Sequence, residues 1–203
     1  HDPNNEESVA PGHAGSIKEG SNGEIWFITG SAVVNRITPE TGKVKKYSAG
    51  LHAAGDLYVL LSDQSDRIWL TTENGLFWFD SEQDRFVRPS VNLGPTGAML
   101  QLLEDSKGRI WAGSRGNGLF RIEPQTGNVL QYRHERSNPH SIANDTTFTI
   151  YEDSKGFVWI SNPEGVSKLD PDSGEFKNYN RSHGMSPGVP HIMLEDSKGV
   201  LWI

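Results

Sequence analysis

Five tryptophans at intervals of 43, 42, 48 and 43 residues, a pentapeptide written three times and recurrent turn signals predict an all-β fold for this 203-residue chain. The predicted architecture is a β-propeller segment of four-stranded antiparallel blades. About four and a half blades are expected, leaving the ring incomplete within the chain. Repeats of this length, each holding several short strands, mark propeller blades and related arrays. The series is Trp26, Trp69, Trp111, Trp159 and Trp202, and the pentapeptide EDSKG precedes the last three. A polar tail at 1–16 is followed by repeats near 17–47, 58–88, 99–132, 147–179 and 192–203.

The third repeat justifies each element in turn. MLQLLED, from Met99, is short and apolar, as expected of an inner strand buried on both faces. DSKG supplies Asp105 at the first turn position and Gly108 where positive φ is cheap. RIWAG is the second strand and GLFRIE the third. Pro124 and Gly127 then bracket a turn before NVLQY, the fourth strand. The fourth repeat follows the same plan, whereas the second is looser, with SDQSD and SEQD where the two turns fall. The last repeat contains two strands, so the chain reads as a piece of a longer protein.

EDSKG therefore reads as a hairpin turn; a calcium loop is opposed by its lysine and by the absence of alternating acidic positions. The serial tryptophans read as packing between blades, because a large aromatic fills the wedge between twisted sheets. Gly75, Gly118 and Gly165, with Ala32 at the matching place, read as turn residues before each third strand. They cradle no phosphate, which would need a strand-to-helix loop. Trp78 stands outside the tryptophan series and is a candidate for a special role.

Composition excludes several functions. A net charge of -7 without a basic run argues against nucleic-acid binding. The absence of cysteine excludes disulfides, thiolate catalysis and Cys-based zinc sites. No stretch approaches the roughly 20 apolar residues that cross a bilayer. The N-terminal residues lack the basic, apolar and small-residue order of a signal peptide. No G-x-S-x-G or H-E-x-x-H occurs, and paired carboxylates fall in the repeated turns. No catalytic residue, metal or cofactor is expected.

Binding residues are sought in the connectors between blades, which are long and dissimilar, because function concentrates in variable loops on rigid scaffolds. His52, His134, His140, His183 and His191 all fall there, as do Arg133, Arg136 and Arg181, with Arg115 in a loop on the same face. The arginines suit a carboxylate or sulfate. The ligand-binding candidates are Trp78, Arg115, His134, Arg136, His140, His183 and His191.

The segments LLEDSKGRIWAGSRGNGLFRIEPQTGNVLQY and TIYEDSKGFVWISNPEGVSKLDPDSGEFKNY resemble the two-component-regulator propeller repeat. The connector RHERSNPHSIANDTT resembles the segment joining such repeats. The resemblance implies the periplasmic region of a bacterial inner-membrane receptor, followed in that family by an immunoglobulin-like domain, a membrane helix and a kinase or cyclase output. In gut Bacteroidetes such sensors often respond to oligosaccharides. The expected partners are therefore a small molecule or oligosaccharide and the rest of the receptor chain, and exposed strand edges allow a homodimer. The first repeat, GSNGEIWFITGSAVVNRITPETGKVKKY, also resembles streptogramin lyase blades, which use His, Glu and magnesium. A lyase-like enzyme and a protein-interaction propeller are the alternatives to a sensor.

Overall fold

The structure is a computed structural model that describes residues 2, 4, 5, 8–20, 22–30, 32–48, 57–89, 93, 97–186 and 188–203. It contains four antiparallel four-stranded sheets and one two-stranded hairpin, each sheet ordered as the chain runs. The first blade comprises β1 (Ala14–Glu19), β2 (Ile25–Thr29), β3 (Val33–Thr38) and β4 (Lys43–Tyr47). The second comprises β5 (Leu57–Ser62), β6 (Ile68–Thr72), β7 (Gly75–Asp80) and β8 (Arg85–Val87). β9 (Met99–Glu104), β10 (Ile110–Ser114), β11 (Leu119–Glu123) and β12 (Asn128–Tyr132) form the third. The fourth holds β13 (Ile150–Glu152), β14 (Val158–Asn162), β15 (Gly165–Leu169) and β16 (Phe176–Tyr179). β17 (Leu194–Glu195) and β18 (Leu201–Trp202) make the final hairpin. Two compact units divide the chain, residues 1–90 with the first two blades and 91–203 with the rest.

The expected order of strands and turns is the order observed. The first strand of a blade is not, however, its most buried. β9 buries only Met99 and Leu102 and leaves its other four residues half-buried, whereas β10 and β6 are buried at every residue. The second strand is flanked within its own sheet on both sides, which leaves it no exposed edge. Turns take the backbone form that the sequence calls for. Gly108, Gly156 and Gly199 have φ between 75° and 81°, and the second blade places Asp66 and Asp84 in the same left-handed region. Asp tolerates that region better than most residues, so the looser second repeat keeps the same turns.

EDSKG turns out to hold three ties beyond its turn. In the third blade, the buried Asp105 carboxylate accepts hydrogen bonds from the backbone N–H of Lys107 and Arg109, 3.0 Å each, and from Arg109 Nε at 2.6 Å. It also accepts the Trp111 indole N–H at 2.7 Å. Asp63, Asp153 and Asp196 hold Trp69, Trp159 and Trp202 through indole bonds of 2.8, 2.7 and 3.0 Å. The first repeat has Gly20 at this place, where an added Cβ would lie 3.3 Å from Trp26 Nε1. There Trp26 packs instead on Tyr47, with centroids 5.6 Å apart, and on Phe79 at 4.7 Å.

The glutamate and serine of EDSKG join neighbouring blades. Glu152 on β13 accepts from the Ser106 backbone N–H and hydroxyl of the preceding turn, both at 2.7 Å. Glu195 on β17 does the same to Ser154, at 2.6 and 2.8 Å. Lys107 adds a 3.0 Å ion pair to Asp172 of the fourth blade. Within the first unit the equivalent link differs: Asp84 accepts from Tyr47 Oη at 2.9 Å and from Lys45.

Two outcomes follow. Asp105→Ala leaves the Arg109 cation and the Trp111 N–H buried without their partner, and should destabilise by about 3–5 kcal/mol in urea unfolding. Asp196→Ala, at an exposed hairpin, should lose far less. Burial pushes the Tyr47 hydroxyl up to about 12, with Arg36 opposing the shift. The neutral phenol is therefore favoured in the fold, so its contribution is complete below pH 10 and is lost as pH rises towards 12. Burial raises Tyr132 in the same direction. Stability measured by urea unfolding should fall between pH 10 and 12, less steeply in Tyr47→Phe.

Candidate functional site

The longest interval between tryptophans, Trp111 to Trp159, places its extra residues in the connector from Arg133 to Thr149. This connector is held by Asp145, which the sequence reading did not single out. Asp145 Oδ1 accepts the His134 backbone N–H at 2.7 Å and Oδ2 accepts Arg133 at 2.9 Å. Its carbonyl accepts from Gly116 and Gly118 at 3.1 and 2.6 Å. Buried Thr147 closes the other side, its N–H donating 2.9 Å to the Ser114 carbonyl. The connector thus lies against the loop between β10 and β11, and the Arg133 guanidinium also donates to Gly116 O at 3.3 Å.

This geometry brings Arg115, Arg133 and His134 to one region. Arg115 is exposed and fixed by its own backbone, whose N–H donates 2.9 Å to Ala98 O. The His134 ring is spent on the connector, with Nδ1 2.9 Å from Ile142 O. Arg136 is exposed on the outer part of the loop. His183 lies elsewhere, in a single 3-10 turn at Arg181–His183, against Asn180 at 3.0 Å and the Tyr179 ring at 5.9 Å. His191 is exposed, its carbonyl accepting Thr149 Oγ1 at 3.1 Å. Trp78 belongs to no connector. It pairs across strands with Trp69, where the other blades place Arg36, Arg121 and Lys168 opposite their tryptophans. His52 lies outside the described residues.

His140 borders a pocket of about 520 Å³ on the edge strand of the fourth blade. Its carbonyl accepts from Phe176 N at 2.9 Å, and Asn178 Nδ2 donates 2.9 Å to Ser141 O, which lays the connector beside β16. The pocket is lined by Phe157 and Phe176 and rimmed by His140, Lys168, Lys177 and Asn178. Lys168 Nζ stands 3.5 Å from the centre of the Phe157 ring and 5.1 Å from that of Trp159. Such a volume matches small-molecule sites, and an aromatic wall with several polar groups supplies both contact area and orientation. Phe157, Lys168 and Asn178 were not expected as site residues. The available signal was Phe157 itself, which stands directly after the EDSKG glycine where the second and third blades have Arg67 and Arg109.

No family model matches the chain. A 60-residue stretch is 32% identical to Histidine kinase P4 of Formosa agariphila, covering 30% of this chain and 4% of that protein. Among solved structures, the chain is similar to the extracellular domain of the hybrid two component system BT4673 from B. thetaiotaomicron. That pair shares 19% identity at a TM-score of 0.72, over 94% of this chain and 28% of the other. It is also similar to virginiamycin B lyase from Staphylococcus aureus, solved with quinupristin, at 17% identity and a TM-score of 0.68, over 93% and 62%. These likenesses establish the β-propeller fold of the segment. The chain spans about a quarter of the length of the two-component sensor domain.

Two glycines test how tightly this connector is held. A Cβ at Gly118, φ +77°, would lie 2.0 Å from Tyr132 O, whereas one at Gly116, φ +88°, meets nothing within 4 Å. Gly118→Ala should cost about 2–4 kcal/mol and Gly116→Ala about 1 kcal/mol, compared by urea unfolding.

Proposed function

We propose that this chain is an extracytoplasmic, ligand-sensing propeller segment of a bacterial two-component or related signalling receptor. It binds a small molecule or oligosaccharide without transforming it. The observation that carries the reading is the pocket at His140, where Phe157 offers a flat apolar wall and Lys168, Lys177, Asn178 and His140 surround it with polar groups. A sugar has this double character, with C–H faces that lie on a ring and hydroxyls that need donors and acceptors. The likenesses to Histidine kinase P4 and to the extracellular domain of BT4673 support the receptor context. No helix among the described residues is long and apolar enough to cross a membrane.

The pocket also joins two blades. His140 and Ser141 belong to the connector that Asp145 fastens to the third blade, whereas Phe157, Lys168 and Asn178 belong to the fourth. A ligand that touches both favours the blade arrangement in which both sets of contacts form. Signalling requires that its affinity differ between two such arrangements.

The test is thermal-shift and calorimetric titration of the chain with neutral oligosaccharides, acidic oligosaccharides and magnesium. A ligand at 100 times its dissociation constant adds about 2.7 kcal/mol of stability. An oligosaccharide should raise the melting temperature, and Lys168→Ala or Phe157→Ala should weaken its binding about tenfold. A response to magnesium alone would favour the lyase-like alternative, and no response to any of them would favour a protein partner.

A further inference from the structure

The strand that closes the first blade departs from its equivalents. KVKKY stands where NVLQY and EFKNY close the third and fourth blades, and the strand registers place Lys46 with Gln131 and Asn178. Those two amides serve the fold. Gln131 Nε2 donates 2.8 Å to Asn117 O, and Asn178 Nδ2 donates 2.9 Å to Ser141 O. Lys46 is exposed and, among the described residues, bonds to no acceptor. Its neighbour Lys45 lies directly opposite Arg36 across β3 and β4. Like charges in that position destabilise a sheet unless something lies between them.

The second blade supplies what lies between them. Asp84, in the turn before β8, stands where the other blades have Gly42, Gly127 and Gly174, and keeps a left-handed backbone with φ 51°. Its carboxylate accepts from Tyr47 Oη at 2.9 Å and from Lys45, with Arg36 Nη2 at 3.9 Å. That one negative charge is thereby taken up. Arg85 follows it and is held by a neutral group, its Nε donating 3.0 Å to Gln83 Oε1, while Gln83 donates in turn to Asp80. The guanidinium is thus oriented without a carboxylate of its own. Lys46, Ser48 and Arg85 border a pocket of about 220 Å³ that also meets the Tyr47 and Phe86 rings. The pocket lies between two complete blades of one compact unit and shares no residue with the pocket at His140.

We propose that this seam is an oxyanion site, in which Lys46, Arg85 and the Ser48 hydroxyl hold a sulfate or phosphate group while Asp84 fixes Lys45 and Tyr47 beside it. Charge decides the sign of the ligand, because Lys45, Lys46 and Arg85 face a single carboxylate that is already bonded. Volume decides its size. Sites for drug-sized ligands span about 300–1,000 Å³, so this smaller pocket takes one head group and not a whole oligosaccharide. The planar fork of arginine and the point charge of lysine both suit tetrahedral oxyanions. Since Lys46 belongs to the first blade and Arg85 to the second, the bound group ties the two together.

The test is calorimetric and thermal-shift titration of the chain with sodium sulfate, sodium phosphate and a chondroitin sulfate tetrasaccharide, against sodium chloride at matched ionic strength. Sulfate and phosphate should bind saturably and raise the melting temperature, whereas chloride should not. Lys46→Ala and Arg85→Ala should each weaken binding about tenfold. Lys43→Ala removes the same charge from the same strand outside the pocket and should leave binding unchanged, as should Lys168→Ala at the other pocket. Positions 43, 46 and 85 are exposed, so those variants should keep the melting temperature of the parent when no anion is added. A tetrasaccharide that binds more tightly than sulfate, and loses that affinity in Lys46→Ala and Arg85→Ala, places the group on a longer ligand; equal affinity points to the free ion. Sulfate and phosphate acting no differently from chloride would overturn the proposal. So would a loss in Lys43→Ala as large as that in Lys46→Ala, the mark of a diffuse charge effect.

Discussion

A carboxylate that accepts an indole N–H six residues along the chain, buried at Asp63 and Asp105 and half-buried at Asp153 and Asp196, sets the geometry of each blade that has it. Asp105 shows the physical logic. A charge removed from water must be fully partnered or it destabilises the fold, and here four donors converge on one carboxyl. Two of them are backbone groups that would otherwise be orphaned in a tight turn. The third, Arg109, lies 5.6 Å from the centre of the Trp111 ring, and the fourth is the indole itself. One side chain thereby fixes the turn, the start of the second strand and the tilt of the largest ring in the core. The buried faces of β10 and its neighbours then pack around a ring that is already oriented.

Much of this was legible because propellers repeat. Five tryptophans at a near-constant interval gave the blade, and Asp and Gly at fixed turn positions gave the hairpins. The identity of turn and strand survived even in the second repeat, where Asp66 and Asp84 adopt the left-handed backbone that glycine takes elsewhere. The ties themselves were harder to read. Turn chemistry accounts for Asp105 locally and so hides its bond to Trp111, although the six-residue spacing recurs in four repeats. The partners of Glu152 and Glu195 lie 46 and 41 residues away, where spacing alone carries no signal.

The connectors were legible as the place of variation, but not in their detail. Histidines chosen for their chemistry serve in part as scaffold: His134 closes its own loop and His183 its own turn. The pocket residues beside His140 come from strands and a strand-leading turn, segments whose periodicity marks them as framework. Phe157 could be picked out only by comparing repeats with one another. The general lesson is that in a repeated scaffold the informative residue is the one that departs from its equivalents.

The connector between Tyr132 and Ile150 separates two duties along its length. Asp145 and Thr147 fasten its end to the third blade, whereas the stretch from Glu135 to His140 is exposed throughout. Length and composition in that outer stretch are thus uncoupled from the carboxylate–indole ties that fold the blades. New loops can be grafted there, by evolution or by hand, while the framework beneath them keeps its shape.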